Sequence, residues 1–134
     1  MSNKDKLKIS EEAKNFLESE HLLFIDGEWK QSSSGEKIPV FDPATEEKIA
    51  EVQSGTSKDI DLAVIAAREA LSGEWAKIPS HDRAQILHRL SDEIEANFSV
   101  LSELEVLDNG MPLELAQYSI CLLYTSDAAD ERNS

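Results

Sequence analysis

His21-Leu22-Leu23-Phe24-Ile25-Asp26-Gly27-Glu28-Trp29-Lys30 holds two runs of strand-forming residues on either side of an Asp-Gly pair. Asp-Gly supplies the positive φ angles that a two-residue type I′ turn demands, so the stretch predicts a tight β-hairpin. Gln31-Ser32-Ser33-Ser34-Gly35 then reads as a loop too short to link two domains. A second strand pair follows, Lys37-Ile38-Pro39-Val40-Phe41 and Lys48-Ile49-Ala50-Glu51-Val52, around the turn Asp42-Pro43-Ala44-Thr45. Pro39 cannot donate to a ladder, which puts its strand at an edge or the proline at its start. Asp42 and Thr45 have side chains that bond nearby backbone groups, the ordinary chemistry of a turn.

After Ser54-Gly55 the apolar period changes from two to 3.6. Thr56-Ser57-Lys58-Asp59 resembles a capping box with a short acidic partner. Ile60, Ala63, Val64, Ala67, Ala70 and Leu71 mark one face of a helix over 57–72, which Gly73 ends. Trp75 and Ile78 sit in the connection. Ser80 caps a second helix over 80–97 with Ala84, Leu87, Leu90 and Ile94 on its apolar face. Asn97-Phe98-Ser99 is a break, and Val100, Leu101, Leu104 and Leu107 carry a third helix over 99–109. Asn109-Gly110 and Pro112 stop it, and a further helix begins at Pro112-Leu113-Glu114-Leu115-Ala116. Upstream, residues 1–20 read as a polar arm with one amphipathic turn, capped by Ser10 and carrying Ala13, Phe16 and Leu17 on one face.

The 134 residues carry 13 Lys+Arg against 27 Asp+Glu, a net charge of −14. With 40% hydrophobic and 30% charged residues the composition is globular. The acidic balance argues against nucleic acid as a partner, because phosphate affinity comes from clustered Lys/Arg. No apolar run approaches the ~20 residues of a membrane span, so no membrane association is expected. Met1-Ser2-Asn3-Lys4-Asp5-Lys6-Leu7-Lys8 lacks the apolar core of a secretory signal. One cysteine, Cys121, cannot pair within the chain. A cytoplasmic protein is the expectation.

Chemistry-bearing residues are few. There is no Gly-x-Gly-x-x-Gly, Walker loop, Cys-x-x-Cys or Gly-x-Ser-x-Gly. His81 and His88 lie two helical turns apart, about 10 Å at 1.5 Å per residue, too far to share one metal ion. Cys121 has only Ile120, Leu122 and Leu123 beside it, with no cation or base to form a thiolate. The acidic pairs Glu11-Glu12, Glu46-Glu47 and Asp59/Asp61 read as solvated faces and caps. Asp108 stands out: an acid near a helix C-terminus opposes the macrodipole, a placement tolerated at the surface or kept for a partner such as a cation.

Leu23-Phe24-Ile25-Asp26-Gly27-Glu28-Trp29, Val40-Phe41-Asp42-Pro43-Ala44-Thr45 and Ile49-Ala50-Glu51-Val52 resemble the N-terminal region of the aldehyde dehydrogenase superfamily. Asp61, Ala63-Val64, Ala66-Ala67-Arg68, Trp75, Arg83, Leu87 and Leu90 continue the likeness, closed by Leu104-Glu105-Val106-Leu107-Asp108-Asn109-Gly110-Met111-Pro112. It covers residues 22–119; Asp42 and Met111 depart from the Asn and Lys of many members. The resemblance implies an α/β fold of which this is the N-terminal portion, a β-hairpin and strand pair followed by three helices. The Rossmann-like sheet and the catalytic domain would lie C-terminal to it. It implies an enzyme that oxidises an aldehyde to a carboxylic acid with NAD or NADP. A cysteine attacks the aldehyde, hydride passes to the nicotinamide and a glutamate activates water. The whole enzyme would be a homo-oligomer, a dimer or tetramer. None of the reacting or coenzyme-binding residues falls in this chain, so the fragment is expected to be inactive and to bind no coenzyme. The resemblance also implies half of a monovalent cation site, at the carbonyls of Val40 and Phe41 and the carboxylate of Asp108.

Residues 121–134 form a different case. Cys121-Leu122-Leu123-Tyr124-Thr125-Ser126-Asp127-Ala128-Ala129-Asp130-Glu131 resembles one reading frame of a transposon-based sequencing-library adapter. The expected organisation is therefore an arm (1–20), a truncated aldehyde dehydrogenase portion (21–120) and a non-native tail that packs against nothing. Two other readings stand beside this one. A free-standing acidic helical module that binds a protein partner would be expected to finish its last helix. Another acyl-transferring or semialdehyde enzyme of the same superfamily would look alike in this region.

Overall fold

The computed structural model describes the backbone of residues 8–130 and the side chains of residues 8–123. The charged start at residues 1–7 and the end of the tail at 131–134 lie outside the described residues. The order is α1 (Glu11–Glu18), β1 (Leu23–Ile25), β2 (Glu28–Lys30), β3 (Lys37–Phe41), β4 (Lys48–Gln53), α2 (Ser57–Ser72), α3 (Glu74–Lys77), α4 (Ser80–Ala96), α5 (Phe98–Asn109) and α6 (Leu113–Asp130).

The strands form two separate two-stranded antiparallel sheets, β1–β2 and β3–β4. Leu23 pairs Lys30 and Ile25 pairs Glu28, leaving Asp26 and Gly27 as a two-residue turn with φ of 57° and 73°. Both signs are those of the expected type I′ turn. In the second sheet Val40 pairs Ala50 but Phe41 pairs Lys48, so Ile49 is the extra residue of a β-bulge. Pro39 faces Glu51 on a strand with a single neighbour, where its missing N–H costs nothing. A lone parallel bridge, His21 to Val52, connects the sheets.

Helix α1 spans eight residues rather than a single turn. The Ser10 side chain caps it by accepting the Ala13 N–H at 3.2 Å. Ser10 also donates its N–H and its hydroxyl to Glu103 Oε2, at 2.7 and 2.8 Å, tying α1 to α5 across 93 residues of chain. Expected helix ends hold to within a residue, with two local differences. Residues 74–77, expected as plain connection, form the one-turn α3. Ser80 is the first residue of α4, and Pro79 takes the cap position without a side-chain bond.

Helix α6 packs along α4 and α5 through Ala116 and Ile120. With Ala13 these are the buried apolar side chains among the described residues. The helix face of Ile60, Val64 and Leu71 is not packed but exposed, Leu71 by 73%. Phe24 and Trp29, whose rings meet tilted at 52° with 4.9 Å between centroids, are exposed as well.

Candidate functional site

Two places gather polar groups. The first is the junction of the 31–35 loop, the end of β4 and the start of α2. Thr56 accepts the Asp59 N–H at 3.4 Å, and Asp59 Oδ2 accepts the Thr56 N–H at 2.8 Å, so the capping box expected here is present with an aspartate as its acid. The same carboxylate reaches outside its own helix. It accepts the Ser33 N–H and hydroxyl at 3.2 Å and the Ser32 hydroxyl at 3.3 Å. Ser32 in turn donates its N–H to Gln53 Oε1 at 2.9 Å and its hydroxyl to the Ser54 carbonyl. Ser32, Gln53 and Asp59 are all buried.

Hydrogen bonds from the Thr56 backbone, above all, hold the Asp59 carboxyl well below its usual value of 3.8, at about 2. Desolvation pushes the other way and loses. Gln53 Nε2 is the exception in this network, a buried donor without a hydrogen-bond partner.

Strand, short turn and helix N-terminus are also the elements that cradle a phosphate in nucleotide-binding folds. Here the fit fails. The Asp59 carboxylate already takes the Thr56 N–H at the start of α2, and its negative charge repels a pyrophosphate.

The second place is the turn between β3 and β4 with the end of α5. Asp42, buried, accepts the Ala44 N–H at 2.8 Å and the Thr45 hydroxyl at 2.9 Å, and its own carbonyl accepts the Glu46 N–H at 2.7 Å. Glu46 adopts a φ of 60° to close the loop. Gly110 ends α5 in the left-handed region, φ 75°, and a Cβ built there would lie 2.8 Å from Pro43 Cγ. That approach brings the end of α5 onto the turn, with Asp108 on the last turn of the helix and Val40 and Phe41 on the strand leading in. The Asp108 side chain is exposed, Phe41 is exposed and Val40 half-buried. The β-bulge disturbs the ladder at Val40/Phe41, the two residues whose carbonyls the cation reading invokes.

The remaining candidates stay apart. His81 and His88 are exposed on α4, His81 beside Asp82 at 2.9 Å, and His21 packs its ring on Phe16 at 4.9 Å. Among the described residues no three His, Cys, Asp or Glu side chains gather as a metal site. Cys121 lies half-buried in α6, and Leu122 and Leu123 are exposed; the side chains of the rest of the tail lie outside the described residues. Helix α6 crosses residues 120 and 121 without a break. Leucine and alanine in this stretch are strong helix formers whatever their origin.

Comparisons with known proteins agree on one family. The model of the aldehyde dehydrogenase family matches residues 29–127. Aldehyde dehydrogenase 1 of Tanacetum cinerariifolium is 42% identical over 116 residues, which cover 81% of this chain and 23% of that protein. An aminoaldehyde dehydrogenase of Arabidopsis thaliana is 38% identical over 117 residues, with the same coverage. The NAD+ complex of an aldehyde dehydrogenase from Bacillus cereus superposes with a TM-score of 0.88 at 34% identity, over 93% of this chain and 26% of that one. The chain thus spans about a quarter of the length of the relatives it matches.

Proposed function

The chain belongs to the aldehyde dehydrogenase family, and from that premise we propose that it is one part of an enzyme oxidising an aldehyde to a carboxylic acid with NAD or NADP. The superposition on a quarter of an NAD+-bound relative carries this reading. Within that enzyme these residues serve as scaffold. The Asp59 network fixes the loop at 31–35 to α2, and the Gly110–Pro43 approach fixes α5 to the second sheet. By themselves they neither turn over aldehyde nor bind coenzyme. Nucleophile, base and coenzyme cradle each account for orders of magnitude in rate and must act together, and the Asp59 carboxylate at the start of α2 disfavours a phosphate there.

The test is to purify the 134-residue chain and measure NADH production with short and aromatic aldehydes, and NAD and NADP binding by calorimetry. No turnover and no binding are expected. Micromolar coenzyme binding would overturn the reading. Nothing observed favours the free-standing interaction module.

The whole enzyme is a cytoplasmic homo-oligomer. Val40, Phe41 and Asp108 supply part of a monovalent cation site, supported by the bulge and by the approach of α5 to the turn. If they are only part of one, thermal unfolding in KCl and in tetramethylammonium chloride coincides. A K+-specific rise would show that the three suffice. Residues 121–134 are foreign to the natural protein, and codons for Cys-Leu-Leu-Tyr-Thr-Ser in re-amplified source DNA would refute that.

A further inference from the structure

Asn109 precedes Gly110 at the end of α5, and both are exposed. Without a Cβ, glycine leaves its amide nitrogen open to the preceding side chain. The chemistry available to such a pair is deamidation. The Gly110 nitrogen attacks Asn109 Cγ, a new C–N bond forms and the Cγ–Nδ2 bond breaks. The amide proton leaves with Nδ2 as ammonia, and a cyclic imide remains. Water then opens the imide at either carbonyl, giving aspartate or isoaspartate. One water enters, one ammonia leaves and nothing is oxidised.

Three contacts oppose the attack. The nucleophilic Gly110 N–H donates to the Val106 carbonyl at 2.9 Å. Asn109 Nδ2 donates to Glu105 Oε1 at 2.6 Å. Asn109 Oδ1 accepts the Met111 N–H at 2.9 Å. The carboxamide is pinned at both ends, and the amide that would attack it is engaged one helical turn back. We propose that Asn109–Gly110 is a latent deamidation site, held shut by the C-terminal cap of α5 and released when that cap opens.

The change would not reverse. A new carboxylate beside Asp108 sits at the negative end of the helix dipole. Isoaspartate also adds a methylene to the backbone, so Gly110 cannot keep both its bond to Val106 and its approach to Pro43.

The experiment incubates the full chain at mildly alkaline pH, in buffer and in concentrated urea, and follows the peptide holding Asn109 by mass spectrometry. Deamidation in buffer is expected to be at least about tenfold slower than in urea, as for a step gated by local opening. Glu105→Ala should raise the rate in buffer and leave the rate in urea unchanged, and Asn109→Gln should abolish the signal. Hydrogen exchange at the Gly110 amide needs no variant, and protection is expected there. Equal rates in buffer and urea, or an unprotected Gly110 amide, would overturn the proposal.

Discussion

Asp59 does two jobs with one carboxylate: it completes the cap of α2 and it receives the loop at Ser32 and Ser33. Its depressed pKa fixes the sign of the pH dependence. The ionised form is favoured by folding, so its contribution is complete above the usual value of 3.8 and is lost as pH falls through about 2. Thermal unfolding followed by circular dichroism should therefore weaken between those values, and Asp59→Asn should flatten that limb while lowering stability at neutral pH. An unchanged acid limb would remove Asp59 from the account. The first job was legible because a cap acts within four residues, from Thr56 to Asp59. The second was not, because Ser33 is 26 residues away and a loop of serines carries no signal of which carboxylate it meets.

Elements were legible for the same local reasons, and their partners were not. Asp-Gly, Gly73 and Asn109-Gly110 mark turns and ends that the backbone follows. The apolar stripe of α2 was equally plain, yet period alone says that a face is apolar and not what lies against it. Thr56→Ala should cost about 1 kcal/mol of stability through the lost cap, read as a lower unfolding midpoint in urea. At the other junction, Gly110→Ala should cost about 1–2 kcal/mol from the left-handed backbone alone, and more from the clash with Pro43. Adding Pro43→Ala should recover part of that loss and never all of it, since the φ of 75° remains. Full recovery would mean that contact, not backbone strain, selects glycine here.

Taken whole, the chain has ample helix and little interior. Buried apolar side chains among the described residues amount to two alanines and one isoleucine, while Leu71, Phe24 and Trp29 face water. Hydrophobic burial is the main force holding a domain together, so this surface predicts a loosely held state. Binding of an apolar fluorescent dye together with a shallow, broad thermal transition is expected, and a sharp transition without dye binding would contradict it. The Phe24–Trp29 pair makes the same surface visible to light. An indole 67% open to solvent emits at the red end of the tryptophan range, and Trp75, also exposed, does not hide it. Any body that closes over the hairpin must dehydrate that ring and move its emission toward the blue. The protein thus carries its own optical gauge of whether its open face has been covered.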